Sequence, residues 1–128
     1  MLSNYNGGEH MYEVEYYTTD SGNIPYEDYK IELAKKNKIL EIAQMEMAIT
    51  HLKQYGFDIS KKIGGKMIKA LREGVFELRP GGNRVMFFHF NGNRFVILHA
   101  FQKTTNKTPN HEIDLAIKEK KKYQNKNH

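Results

Sequence analysis

The chain has 128 residues, 39% hydrophobic and 12% aromatic, with no cysteine and a formal charge of +5. That is long enough for one modest core, too apolar for a disordered chain, and without the thiols for a disulfide framework or a thiolate metal site. The charge is divided unequally: residues 1–59 carry five Lys and Arg against ten Asp and Glu, residues 60–128 fifteen against five, and a basic half of this kind suits a polyanionic partner. No run approaches the ~20 apolar residues of a membrane span. Residues 1–10 lack the basic-then-apolar pattern of a signal peptide, so they are expected to be a flexible lead-in to a cytoplasmic protein whose single domain covers residues 11–123, with residues 124–128 a polar tail.

In chain order, Tyr12, Val14 and Tyr16 alternate with Glu13, Glu15 and Tyr17, the period of a half-buried strand. Thr19 to Pro25 is turn chemistry, and Pro25 suits the first turn of a helix through about Lys36, with Glu27 and Asp28 at its positive end. A second helix is expected from about Asn37 to Tyr55, where Ile42, Met45, Ile49 and Leu52 follow helical spacing and Gly56 is placed to end it. Such a stripe is the mark of a core face, so both helices read as scaffold packed on one face of a sheet. Residues 57–65 form a Lys- and Gly-bearing connection that continues through Lys66, Lys69 and Arg72. Strands follow at Val75–Arg79, Arg84–Phe90 and Phe95 to about Gln102, with Asn91-Gly92 a strong hairpin signal. Thr108 and Pro109 read as N-cap and first residue of a last helix, acidic early (Glu112, Asp114) and basic late (Lys118 to Lys122). The expected order is β-α-α-β-β-β-α, an α+β fold with a mainly antiparallel sheet.

The three strands set basic side chains around one margin of an apolar segment. A two-residue turn at Asn91-Gly92 pairs Phe90 with Asn93 and, moving outward, Arg84 with His99; directly opposed residues share a face. A four-residue loop from Pro80 to Asn83 adds Arg79, and Lys103 lies four residues beyond His99. Arginine grips phosphate oxygens through paired hydrogen bonds, so Arg79 and Arg84 suit the scissile phosphate of RNA and the charge that develops as a ribose 2′-hydroxyl attacks it. Lys103, a lysine among arginines, is expected to titrate low and to serve as a proton-transfer group or a further clamp. His99 has the ordinary pKa for acid–base work, but a strand histidine that merely orients Arg84 is the preferred reading. The six histidines show no ligand spacing and no acidic cluster accompanies them. The expectation is therefore chemistry without a metal or other cofactor.

Three segments together, LREGVFELR, NRVMFF and ILHAFQKTTNKTP, the last followed by a helix beginning EIDLA, resemble the HigB-like, phage-derived branch of the RelE toxin superfamily. The resemblance extends over about residues 11–123. It implies a compact twisted sheet covered by helices, and the toxin of a type II toxin–antitoxin pair, a ribosome-dependent endoribonuclease (mRNA interferase) that cuts mRNA in the ribosomal A site. By the same resemblance Arg84 matches the phosphate-contacting arginine of the Tyr-Arg motif, Arg79 the arginine of Glu-Leu-Arg, and Lys103 the basic residue closing the last core strand; Lys66, Lys69, Arg72 and Lys107 would add contacts to RNA. Phe76 stands in place of the usual Trp, Asn83 of Tyr and Thr104 of Lys, while Val75 and Glu77 occupy positions that are lysine in other branches. The implied partner is a HigA-like helix-turn-helix antitoxin. Docking on the helical face of about residues 25–55 is expected, with direct blockade of residues 66–103 as the competing arrangement. Two other functions share the basic patch or the fold: a ParE-type gyrase poison and a non-catalytic RNA-binding module.

Overall fold

The alternating segment near the N-terminus forms β1 (Glu13–Tyr16) in a computed structural model that describes residues 11–127; the expected lead-in at residues 1–10 lies outside them. Two helices follow, α1 (Pro25–Lys35) and α2 (Ile39–Tyr55), separated where Asn37 adopts a φ of 60°. The expected connection after Tyr55 is instead helical, a 3-10 turn (Gly56–Asp58) running into the short α3 (Ile59–Ile63). Ile59 accounts for this, because its burial in the core ties the segment down. An additional strand, β2 (Ile68–Ala70), comes next, then β3 (Val75–Leu78), β4 (Asn83–Phe90) and β5 (Arg94–Gln102). The chain closes with α4 (Asn110–Asn127). β2 has only three residues and its outward positions are exposed, so it lacks the apolar alternation that marks the other strands.

The five strands lie in the order β1-β5-β4-β3-β2, antiparallel except for β1, which runs parallel to β5 at the far edge. One face of the sheet buries Val85, Phe87, Phe95 and Ile97 against Tyr26 and Leu33 of α1 and Met45, Ala48, Ile49 and Leu52 of α2. The other buries Val75, Met86, Phe88, Val96 and Leu98 against Ile113, Ala116, Ile117 and Tyr123 of α4. The strands at the centre are therefore apolar on both faces, as a sheet covered twice requires. Helix α4 runs through Asn127 with Tyr123 buried; of its late lysines, Lys118, Lys121 and Lys122 are exposed, while Lys120 is half-buried and donates to the Glu73 carbonyl. Among the described residues no helix is long and apolar enough to cross a membrane.

The hairpin between β4 and β5 departs from the expected register in two places. Phe90 pairs with Arg94, leaving Asn91, Gly92 and Asn93 in the turn, where Gly92 takes a φ of 59°. The register then shifts again between Met86 and Phe87, with Leu98 as the inserted residue of a β-bulge. Each shift alone would send every outer side chain to the opposite face; together they restore the face and slide the pairing by two residues. Arg84 therefore opposes Phe101, not His99, and His99 opposes Met86.

Candidate functional site

The open end of the sheet, remote from the Asn91–Asn93 turn, gathers most of the basic residues singled out above. Leu78 opposes Val85 at the end of the β3–β4 ladder, and the next residue outward on each strand, Arg79 and Arg84, approaches the Glu77 carboxylate. The backbone N–H of Arg79 donates to the carbonyl of Met67 (2.9 Å), which brings Lys66 to the same corner. The N–H of Lys103 donates to the carbonyl of Gly82 (2.8 Å), closing the end on the β5 side. Lys103, Lys66 and Lys107 are exposed at or near this end; Lys69 is exposed on the edge strand, opposite Glu77. None of these four lysines has a salt-bridge partner among the described residues. Arg72 is placed elsewhere: it lies in the β2–β3 turn at the other end of those strands and donates to Asp114 of α4 at 2.7 Å.

At the centre sits a carboxylate that sequence reasoning noticed only as a neighbour. Glu77 is fully buried. Its Oε2 lies 3.3 Å from Arg79 Nε and 3.8 Å from Arg84 Nε, while its Oε1 accepts from the Thr108 hydroxyl at 2.7 Å. Thr108 therefore serves Glu77 rather than capping the helix, and the Pro109 carbonyl accepts from the N–H groups of Glu112 and Ile113 at the start of α4. The ion pairs are close but poorly aimed: Glu77 Oε2 and Arg79 Nε are both buried without a hydrogen-bond partner among the described residues. Two cations and one carboxylate leave a net positive site whose arginine groups are not fully satisfied by protein.

Arg84 is itself largely buried, 8% exposed. Its Nη1 donates to the carbonyls of Gly81 and Asn83, both at 2.9 Å, so the guanidinium also ties down the β3–β4 loop. Burial first, and then Arg79 beside it, pull its pKa below the ordinary arginine value, with Glu77 opposing; it remains a cation at any working pH. Asn83, buried at the start of β4, accepts from Tyr29 of α1 and donates to Glu41 of α2 at 2.9 Å. That network fixes the loop's other flank on the helices. The arginine end is thus preorganised from both faces of the sheet.

His99 lies one diagonal position from Arg84 on the α4 face, where both ring nitrogens are engaged. Nδ1 lies 2.6 Å from Glu119 Oε1 and Nε2 lies 2.9 Å from Glu112 Oε1. The bulge at Leu98 turns His99 toward α4, and helical spacing puts Glu112 and Glu119 two turns apart on one face. Burial works to lower the imidazole pKa, but the hydrogen bonds and charge of the two glutamates outweigh it and raise it to about 9; Glu112 is held low mainly by its bond to His99. His99 is thus a charged clamp between sheet and helix, and a proton transfer by it requires releasing one carboxylate. Because its folded pKa is raised, its contribution is complete below the unfolded value near 6.5 and is lost as pH rises through about 9. That contribution is on the order of 3 kcal/mol. The His99 ring resonances should accordingly titrate near pH 9 by NMR, with α4 loosening over the same interval; titration near pH 6.5 would remove the ionic clamp.

Among the described residues no group of three or more His, Asp or Glu side chains is arranged as a metal site. What the end of the sheet offers chemically is a rigid set of cations for an anionic ligand. Residues 32–121 match a family model described as Phage derived protein Gp49-like. No curated protein matches the chain.

Proposed function

We propose that this chain, which belongs to the Gp49-like family of phage-derived proteins and through it to the RelE-like toxin superfamily, is the toxin of a type II toxin–antitoxin pair of the HigB-like kind, a cytoplasmic mRNA interferase acting on messages in the ribosomal A site. The observation that carries this reading is the pairing of Arg79 with Arg84 over a single buried carboxylate, with Lys103 at the same end.

In the reaction, a ribose 2′-oxygen bonds to the adjacent phosphorus, the bond from phosphorus to the 5′-oxygen breaks, and the 2′ proton leaves as the 5′-oxygen gains one. Negative charge grows on the phosphate oxygens on the way, and fixed guanidinium groups stabilise it without having to reorganise. Arg84, locked by Gly81 and Asn83, holds the phosphate, and Arg79 stabilises the developing charge. Lys103, exposed at the rim, moves a proton or adds a third cation. Lys66, Lys69 and Lys107 contribute contacts along the RNA backbone. An unopposed enzyme of this kind would kill its host, so it requires a separate inhibitor, and the resemblance to the HigB-like branch implies that this is a helix-turn-helix antitoxin.

The test is to map message ends after expression. Primer extension should find new breaks at codon positions in translated messages, and the upstream fragments should carry 2′,3′-cyclic phosphate or 3′-phosphate. Fragments ending in 3′-hydroxyl would reject attack by the 2′-hydroxyl in favour of a metal-activated water. Intact messages accompanied by broken DNA would replace the reading with a gyrase poison.

A further inference from the structure

The outer edge of β5 is only partly covered. β1 pairs with Arg94 to Ile97, and the N–H of Tyr17 donates to the Ile97 carbonyl at 2.8 Å. Beyond that point no strand accompanies β5. The bond from the Lys103 N–H to the Gly82 carbonyl fixes the phase of the β4–β5 ladder. With Phe101 opposite Arg84 and Gln102 opposite Asn83, the main-chain groups of Phe101 turn toward β4, and those of Ala100 and Gln102 turn outward. Ala100 is only 8% exposed, yet among the described residues neither its main-chain N–H and C=O nor those of Gln102 have a hydrogen-bond partner. Buried main-chain groups are almost always paired, so their partner comes from outside the fold.

This bare edge borders a cleft of about 400 Å3 between α1 and the start of α4, within the size range of small-molecule sites. Tyr29 and Phe101, both half-buried, give the cleft aromatic surface, and the bond from the Tyr29 hydroxyl to Asn83 fixes that ring. Lys36 and Glu32 of α1 also line it, both exposed and without a salt-bridge partner among the described residues, whereas Glu112 is committed to His99 and His111. A purely apolar ligand would leave the edge groups unpaired. An extended peptide is disfavoured because only residues 100–102 are bare, and strands usually run about five to six residues.

We infer that this cleft binds a nucleobase, the Ala100 carbonyl accepting from it and the Gln102 N–H donating to it. Bases carry a donor beside an acceptor on their pairing edge, which matches the acceptor and donor that two alternate residues present along one strand edge. The ring lies against Tyr29 and Phe101, in the manner of base stacking on aromatic side chains. Glu32 accepts from ribose hydroxyls, and Lys36 meets the phosphate. The ligand is a nucleotide, either free or as one unit of a single strand whose backbone reaches Lys103, the residue after Gln102. The inference goes beyond the toxin reading and does not require that RNA be cut.

The probes are the four ribonucleoside 5′-monophosphates and a 2′-deoxy tetranucleotide lacking the hydroxyl that cleavage would use, each titrated into the isotope-labelled full chain, with inorganic phosphate as control. The amide resonances of Ala100 and Gln102 should shift and saturate with a nucleotide and stay in place with phosphate. Movement with a monophosphate assigns the site to free nucleotides. Movement with the tetranucleotide only, accompanied by Lys103, assigns it to a nucleic-acid strand. Gln102→Pro deletes an N–H that the fold does not use, a change an edge strand tolerates, and should weaken binding about tenfold with a melting temperature close to the parent's. Ala100 and Gln102 amides that no probe moves would overturn the proposal, as would shifts reproduced by phosphate alone or a folded Gln102→Pro protein with undiminished affinity. Should that variant not fold, the shifts in the parent chain decide by themselves. Binding is read here without turnover, so intact messages would reject the mRNA-cleaving reading and leave this site standing.

Discussion

Arg84→Ala should abolish growth inhibition and at the same time lower the melting temperature, two losses from one side chain. The catalytic loss is that of a preorganised charge contact, ~10²–10³ in rate. The stability loss follows from where the guanidinium sits. It is largely buried, donates to the carbonyls of Gly81 and Asn83 and neighbours Glu77, so its removal strands two loop carbonyls and leaves the carboxylate with one cation fewer. Such losses cost about 2–4 kcal/mol, or roughly 10 °C in a domain of this size. Arg79→Ala separates the two effects. The Arg79 side chain is 25% exposed and among the described residues no side-chain hydrogen bond ties it to the loop, so its loss should cut cleavage with a smaller change in melting temperature, that of Glu77 losing one cation. The checks are message cleavage at matched soluble protein and thermal unfolding by circular dichroism. An Arg84→Ala protein that stayed as toxic as the parent would take Arg84 out of the site.

The largest stability effect should come from Glu77→Ala. Removing one partner of a buried ion pair typically costs about 3–5 kcal/mol, because the remaining charge is left without compensation. Here two arginines would face each other across the gap, and the Thr108 hydroxyl at the entrance to α4 would lose its acceptor. Glu77→Gln keeps the volume and the Thr108 acceptor while deleting the charge, so it should lie between parent and Glu77→Ala in urea-unfolding free energy. Equal stability of all three proteins would mean that the carboxylate does not hold the arginine pair together. This residue also explains how two like charges persist side by side at a sheet end: the buried Glu77 carboxylate lies against both and offsets part of their repulsion.

How much of this was legible beforehand differs from element to element. β1, α1, α2 and the β3–β4–β5 run follow from periodicity and from turn residues such as Pro25, Gly56 and Gly92, because these signals act within a few residues. The edge strand β2 and the short α3 were missed for the opposite reason. Ile68–Ala70 has no alternation of its own and exists because β3 offers it a partner, and Ile59–Ile63 is helical because Ile59 reaches the core. Arg79 beside Arg84 was readable from a four-residue loop. Arg84 beside His99 was not, since one extra residue in the turn and one at Leu98 each change the register and only their combination is observed.

By itself, then, the sequence determined the fold class, the division of charge between the two halves, and the choice of Arg79, Arg84 and Lys103 as the residues to watch. All of these depend on residue type and short-range spacing. Tertiary structure alone decided the rest: that Arg84 is buried and anchors a loop, that Glu77 lies against both arginines, that His99 is clamped by Glu112 and Glu119, and that Arg72 pairs with Asp114 of α4 at the opposite end from the basic cluster. Each of those facts joins residues on different elements. A side chain's charge is a local property, but its burial and its partners depend on register, and register is fixed only when strands, bulge and helices pack together.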